Sequence, residues 1–300
     1  MENFRIKVFR VVARHLNFTR AAEELLLTQP AITQQIKALE EEFGVPLFDR
    51  SGGRVVLTPA GEALIPFAEQ MNSISTAAFE SVTSAAGRND GNLALGASQT
   101  IGQYLLPRFV ALFLREYPRV NVTAISGNTD EMLEAVVEHR IQIALIEGPG
   151  MRKDLHTEPF MEDEMVLVVP ADHPWAGRQI EAADLESAPL LMREVGSGSR
   201  RVVENALAKI GLKKKSLRVV MDLDSTEGLL SAVEAGLGFT FVSRWAMRNQ
   251  MALHTLNIAQ VKGLKLLRKF SLAYPAGPEP RGNTGAFRRF ILGYSKQIPS

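Results

Sequence analysis

The sequence predicts two units of different class: an all-α N-terminal unit with a short β-hairpin, and a C-terminal α/β unit of two lobes, joined by a long helix. Three observations predict it. Apolar residues recur at helical spacing through the first forty-odd positions, a heptad-like stripe follows the Thr58-Pro59 pair, and from Leu93 short apolar strands alternate with helical segments.

The composition agrees. A length of 300 residues allows roughly two domains. Cysteine is absent, which removes disulfides, thiolate metal sites and cysteine nucleophiles. The histidines (His15, His139, His156, His173, His254) have no i,i+4 partner and form no HExxH, so no metal ligand is expected. No apolar run approaches the ~18 residues of a membrane span. The opening MENFRIKVFR lacks the pattern of an export signal, and a cytoplasmic protein is expected. The net charge of +1 gives no global attraction to nucleic acid, so any such affinity must come from local placement of charge.

Phe4, Val8, Val11 and Val12 predict a helix over about 2–15. Asn17 or Thr19 can cap a second, whose small packing face is Ala21, Ala22 and Leu25. Thr28 is the next cap, with Pro30 in the first turn, where a missing N–H costs nothing. Ile32, Ile36 and Leu39, extended by Phe43, form the buried face of this third helix, and Gly44 stops it. The close succession of the second and third helices is a helix-turn-helix. Gln29, Thr33, Gln34 and Lys37 fall on the opposite face, with chemistry suited to base edges and phosphates. Two short apolar runs then flank Ser51-Gly52-Gly53, a hairpin with Arg50 and Arg54 beside its turn, placed like a wing.

The stretch FRVVARHLNFTRAAEELLLTQPAITQQIKALEEEFGVPLFDRSGGRVVLTPAGE, Phe9 to Glu62, resembles the N-terminal segment of the LysR-type transcriptional regulators. The resemblance implies that Gln29, Pro30, Thr33, Gln34 and Lys37 lie at the DNA. It also implies Arg50 and Arg54 in the wing and Arg20 near the backbone. An inverted-repeat operator and a homodimer or homotetramer are the implied partners, with RNA polymerase left open as another.

Thr58 and Pro59 open a helix in which Leu64, Phe67, Met71, Ile74 and Ala78 alternate at spacings of three and four. Such a stripe fits a core face or a coiled coil; the resemblance favours dimerisation through Leu64, Phe67, Met71 and Ile74. Pro66 lies inside this helix and predicts a kink or irregular turn. The segment Gly87 to Asn92 reads as a hinge.

The strands LALGAS, VNVTAIS, IALIEG, MVLVVP, PLLMRE, LRVVMDL and FTFVS follow. One helix is expected from about Ile101 to Glu116, and others near Met132, Ala206, Leu230 and Phe290. The alternation predicts mostly parallel sheets in two lobes. The resemblance implies a type 2 periplasmic-binding-protein-like domain, with crossings near Met161–Met165 and Lys265–Ser271. The expected domains are 1–58 for DNA, 59–90 for the linker helix and hinge, and 91–300 for the effector. Lobe I spans about 91–162 and 268–300, and lobe II about 163–267.

Ligands of such sheets bind where strands end and helices begin. Four junctions offer hydroxyls, amides and free helix N–H groups: Ser98-Gln99-Thr100, Asn128-Thr129, Gly196 to Arg200 (with Ser197 and Ser199), and Ser225. Each hydroxyl taken singly is an N-cap; together they predict a concave site for a small anion. Glu147 after IALI points the other way: it could repel a fully charged anion, hold a proton-bearing one, or pair with Arg193 or Arg200. IALIEG with REVGSGSR resembles the LysR proteins linked to sulfur assimilation or other inorganic anions, so a sulfur oxyanion is one expected effector. No GxSxG, P-loop or dinucleotide fingerprint is present, and neither enzymatic activity nor a cofactor is expected. A binding or transport-type protein is the alternative reading, which the helix-turn-helix disfavours.

Overall fold

The computed structural model describes residues 3–51, 53–85, 90–148, 150, 152–212 and 214–295. They form two compact units, the first built on the elements before residue 88.

The first unit holds α1 (Phe4–His15), α2 (Phe18–Leu25), α3 (Gln29–Phe43), β1 (Phe48–Asp49), β2 (Val56–Leu57) and α4 (Pro59–Ala85). Asn3 caps α1 by accepting from the Arg5 N–H. Of the two candidate caps for α2 it is Asn17 that acts, accepting from the N–H groups of Thr19 and Arg20. Thr28 precedes α3 without a side-chain cap bond, and Gly44 ends it in the left-handed conformation at φ 71°. Phe9, Val12, Ala21, Ile32, Ile36, Leu39 and Phe48 form the core. Phe43, expected to extend the apolar face of α3, is instead half exposed in the last turn.

β1 and β2 pair antiparallel, Phe48 opposite Leu57. Glu40 of α3 accepts from the Leu47 and Phe48 N–H groups at 2.8 and 3.2 Å, fixing the hairpin to the helix. Thr58 caps α4, its hydroxyl accepting from Gly61 N–H at 3.1 Å. α4 stays helical through Pro66. The carbonyl that proline's absent N–H would have met is that of Glu62, an exposed residue.

The second unit runs β3 (Gly91–Ser98), α5 (Gln99–Tyr104), α6 (Leu106–Glu116), β4 (Val120–Gly127), α7 (Thr129–Val137), β5 (Ile143–Glu147), β6 (Leu155–Pro170), β7 (Gln179–Ile180), α8 (Asp184–Ser187), β8 (Pro189–Arg193), α9 (Gly198–Lys209), β9 (Arg218–Leu223), α10 (Thr226–Glu234), β10 (Thr240–Ser243), α11 (Arg248–Leu253), β11 (Leu256–Val261), β12 (Leu266–Pro275) and α12 (Gly282–Ser295). The helix expected over 101–116 is two, broken at Leu105. Pro107 in the first turn of α6 cannot donate and its ring crowds the carbonyl one turn earlier. Of the expected hinge, residues 87–89 lie outside the described residues, and Gly91-Asn92 already belong to β3.

The main sheet has the order β4-β3-β5-β12-β6-β11-β7, with β10 also on β6, while β8 and β9 pair separately. Pairing is parallel among β3, β4 and β5 and between β8 and β9. It is antiparallel wherever β6 or β12 meets β5, β10, β11 or the other. The expectation of mostly parallel sheets therefore fails at the centre. β6 and β12 run in opposite directions through both lobes, and their register shifts between Phe270 and Ser271. Each lobe has its own core: Leu93, Leu95, Phe109, Phe113, Leu145 and Phe287 in the first; Leu167, Val169, Leu190, Phe239 and Phe241 in the second. Among the described residues no helix is long and apolar enough to cross a membrane.

Candidate DNA-binding face and inter-lobe site

On α3 the side chains of Gln29, Pro30, Gln34 and Lys37 are exposed and Thr33 is half-buried, opposite the buried Ile32, Ile36 and Leu39. The Thr33 hydroxyl donates back to the Gln29 carbonyl at 3.0 Å, so it is engaged within the helix. Lys37 lies 3.7 Å from Glu41 in a solvated i,i+4 pair. Arg20 and Arg54 are exposed. Arg50 differs: its guanidinium lies 4.3 Å over the Phe18 ring and 3.9 Å from Glu40, so it also holds the hairpin against α2 and α3.

Along α4, Leu64 and Ala68 pack on the core of their own unit. Phe67, Met71 and Ile74 are 60%, 49% and 61% exposed. Leu64 thus stands apart from Phe67, Met71 and Ile74.

In the second unit Ser98, Thr100, Thr129, Glu147 and Ser199 come together, all buried. Oε1 of Glu147 accepts from the Ser98 hydroxyl at 2.9 Å and from the N–H groups of Thr100 and Ile101 at 2.6 and 3.3 Å. Oε2 accepts from the hydroxyls of Thr100 and Ser199 at 3.0 and 2.8 Å and from Nη1 of Arg268 at 2.9 Å. Of the options open for Glu147, pairing with Arg193 or Arg200 is not the one formed: its ion partner is Arg268 of β12, which also donates to Asp163 of β6 at 2.7 Å. Arg200 turns away to Asp222, Glu204 and the Arg193 carbonyl. Arg193 binds Glu194, Thr226 and the Asp224 carbonyl.

The lobes touch through this cluster. The Thr129 hydroxyl donates to the Glu147 carbonyl at 3.1 Å and accepts from Gly198 N–H at 3.2 Å. Arg201 pairs with Asp130 at 2.9 Å, and Tyr104 donates to Glu227. Asn128, Ser197 and Ser225 serve as helix caps, accepting from Glu131, Arg200 and Gly228. Gln99 is half-buried beside the cluster, and the Gly196 carbonyl accepts from Asp130 N–H at 3.4 Å. A cavity of about 710 Å³ adjoins the cluster, lined in part by Gly148, Arg152, Lys153, Arg268 and Lys269.

Burial drives the Glu147 carboxyl up. Arg268 beside it, the hydroxyls of Ser199 and Ser98 and the field of Arg193 outweigh that, and the group lies below the ordinary carboxylate range. At Asp163 burial wins over Arg268 and Ser243, and Glu147 adds repulsion, so its carboxyl is raised. Burial would lower the Arg268 guanidinium, but its two carboxylates hold it charged. One cation serves two acids, at 2.9 Å from Glu147 and 2.7 Å from Asp163.

Sequence reasoning missed Asp163, Ser243 and Arg268. The available signal was charge set among strand-forming residues, in FMEDEM and LLRKFS. Among the described residues no group of three or more acids and histidines could hold a metal.

Residues 5–62 match the family described as "Bacterial regulatory helix-turn-helix protein, lysR family", and residues 86–295 match "LysR substrate binding domain". The chain is 36% identical over 295 residues to the HTH-type transcriptional regulator CysL of Bacillus subtilis, covering 98% of each. It is similar to the Synechocystis CcmR regulatory domain in complex with 2-PG, at 25% identity and a TM-score of 0.65, covering 70% of this chain and all of that one. Its fold is also that of full-length CbnR complexed with its target DNA, at a TM-score of 0.70 and 22% identity over 99% of both chains. A winged helix-turn-helix, a long helix and a two-lobed α/β domain in this order, matched over nearly their whole length, show that the chain belongs to the LysR family of DNA-binding transcriptional regulators.

Proposed function

We propose that this regulator reads an inverted-repeat operator as a homo-oligomer and changes its DNA complex when a small anion enters between the lobes. Residues 1–58 bind DNA, 59–90 dimerise, and 91–300 sense the effector. Gln29 and Gln34 read bases, Pro30 and Thr33 shape the approach, and Arg20, Lys37 and Arg54 meet the backbone or minor groove, with Arg50 setting the wing. The observation that carries the effector reading is the convergence of hydroxyls and N–H groups from both lobes on one carboxylate, that of Glu147. A site that satisfies a buried carboxylate in this way has the chemistry to hold a free anion. The complex of CcmR with 2-PG supports a small anionic ligand, and the IALIEG and REVGSGSR segments put sulfur oxyanions first among those to try.

Calorimetry of the full chain with sulfate, sulfite and small carboxylates tests this. Thr100→Ala or Ser199→Ala should weaken the binding anion by about 1–2 kcal/mol. Operator binding without effector should stay near wild type in a gel shift. Unchanged anion affinity in both variants would place the effector elsewhere.

A further inference from the structure

We infer that Glu147 is the resident occupant of the inter-lobe anion site, a carboxylate tethered by its own strand, and that an effector anion binds by exchange with it. The inference rests on the reading of this cluster as an anion site.

The donor count argues for exchange. A carboxylate offers about four lone-pair sites. Glu147 faces three donors on Oε1 and three on Oε2. The pocket therefore presents more donors than its occupant can satisfy, and they are spread over both lobes. Nη2 of Arg268, in a side chain only 1% exposed, has no hydrogen-bond partner among the described residues. Such a donor is costly to leave unpaired. A tetrahedral oxyanion, with oxygens in four directions, could use these donors more fully than two coplanar oxygens do.

Charge argues the same way. Arg268, the cation paired with Glu147, is shared with Asp163, so the buried cluster has no positive charge to spare for a second anion. A free anion placed beside an ionised Glu147 would meet repulsion at contact distance in a dry site. A monoanion taking its place keeps the charge of the cluster unchanged, and a dianion such as sulfate adds one negative charge instead of two. Approach is favoured by the adjoining cavity, which reaches Gly148 and Arg268 and carries Lys153 and Lys269 on its wall.

The test titrates sulfate and acetate into the full chain and its Glu147→Ala and Glu147→Gln variants by calorimetry, with melting temperature as second readout. Glu147→Ala should bind at least one of the two anions about tenfold or more tightly than wild type, since a like charge and a competitor are both removed. Acetate should raise the melting temperature of Glu147→Ala saturably while leaving wild type nearly unmoved. Glu147→Gln keeps the shape and loses the charge, so it should shift affinity in the same direction even if Glu147→Ala is insoluble. Equal affinity in wild type and the soluble variants would overturn resident occupancy while leaving the anion-sensing reading intact. No binding by any form would sink both.

Discussion

Gly198, the first residue of α9, lies so close to the Glu147 carbonyl that a Cβ on it would stand 1.8 Å from that oxygen. The same Cβ would be 2.6 Å from the Thr129 hydroxyl. The two lobes thus meet backbone to backbone at a point where any side chain is excluded. Gly198→Ala should force the lobes apart and cost about 1–3 kcal/mol, the range for overpacking. Denaturant unfolding gives the cost, and small-angle scattering should show a larger radius of gyration. An unchanged radius would mean the strand end yields locally instead.

Arg268 balances two buried acids. Arg268→Met should destabilise the second unit by about 3–5 kcal/mol, because it strands Glu147 and Asp163 without a cation. Urea unfolding measures this, and a loss below about 1 kcal/mol would show that water reaches the acids and screens them.

The pH response has a definite sign. Glu147 titrates below its ordinary value of 4.5 in the folded chain, so its stabilising contribution is full above that value and lost as pH falls through the depressed folded one. Asp163, raised from 3.8, acts oppositely: what it contributes is present below 3.8 and lost as pH rises through its raised value. The stability difference between wild type and Glu147→Gln should therefore be constant near neutrality and shrink below pH 4.5. A difference that grows on acidification would contradict an ionised Glu147.

On the DNA side, Gln34→Ala should lose about 1–3 kcal/mol on the specific operator and little on random duplex. Arg54→Ala should weaken both and flatten the salt dependence of binding. Competition gel shifts at two salt concentrations separate these, and equal losses for Gln34→Ala on both duplexes would remove it from base reading.

The exposed stripe of α4 predicts self-association. Met71→Asp or Ile74→Asp would put a charge into the exposed face proposed for dimerisation, and should give monomers with weak operator binding. Sedimentation of a soluble, fully dimeric Met71→Asp protein would show that the contact lies elsewhere. Leu64→Asp should instead unfold the first unit, since Leu64 packs on its core.

The elements most legible in the sequence were those with local causes. α3 runs from Gln29 to Phe43 because Pro30 opens it and Gly44 closes it, and both signals are sequential. The strand-end hydroxyls Ser98, Thr100 and Ser199 were legible as a group because each follows the carboxyl end of a strand where a helix begins, β3 in one sheet and β8 in another. The partner of Glu147 was not, because 121 positions separate it from Arg268, and only the crossing of β12 brings them together. β12 itself was hidden: Arg268 and Lys269 interrupt its apolar run, and they pair inside the molecule with the equally charged middle of β6, Asp163 and Glu162. Arg200 pointed elsewhere than expected because Asp222, on the neighbouring β9, offers it a carboxylate that no local spacing reveals.

The paired strands β6 and β12 are common to both lobes, and Arg268 sits directly opposite Asp163 within that ladder. A two-stranded ribbon resists stretching and shear through its hydrogen bonds but twists readily. Torsion between the lobes would therefore fall on the stretch where Leu267, Arg268 and Lys269 pair with Glu164, Asp163 and Glu162, since Phe270 and Ser271 are already flanked by β5. Because the guanidinium that balances Glu147 is mounted on this torsion element, rebalancing its charge acts on the spring itself. Different ligands would then set the amplitude of one shared rotation instead of choosing among several.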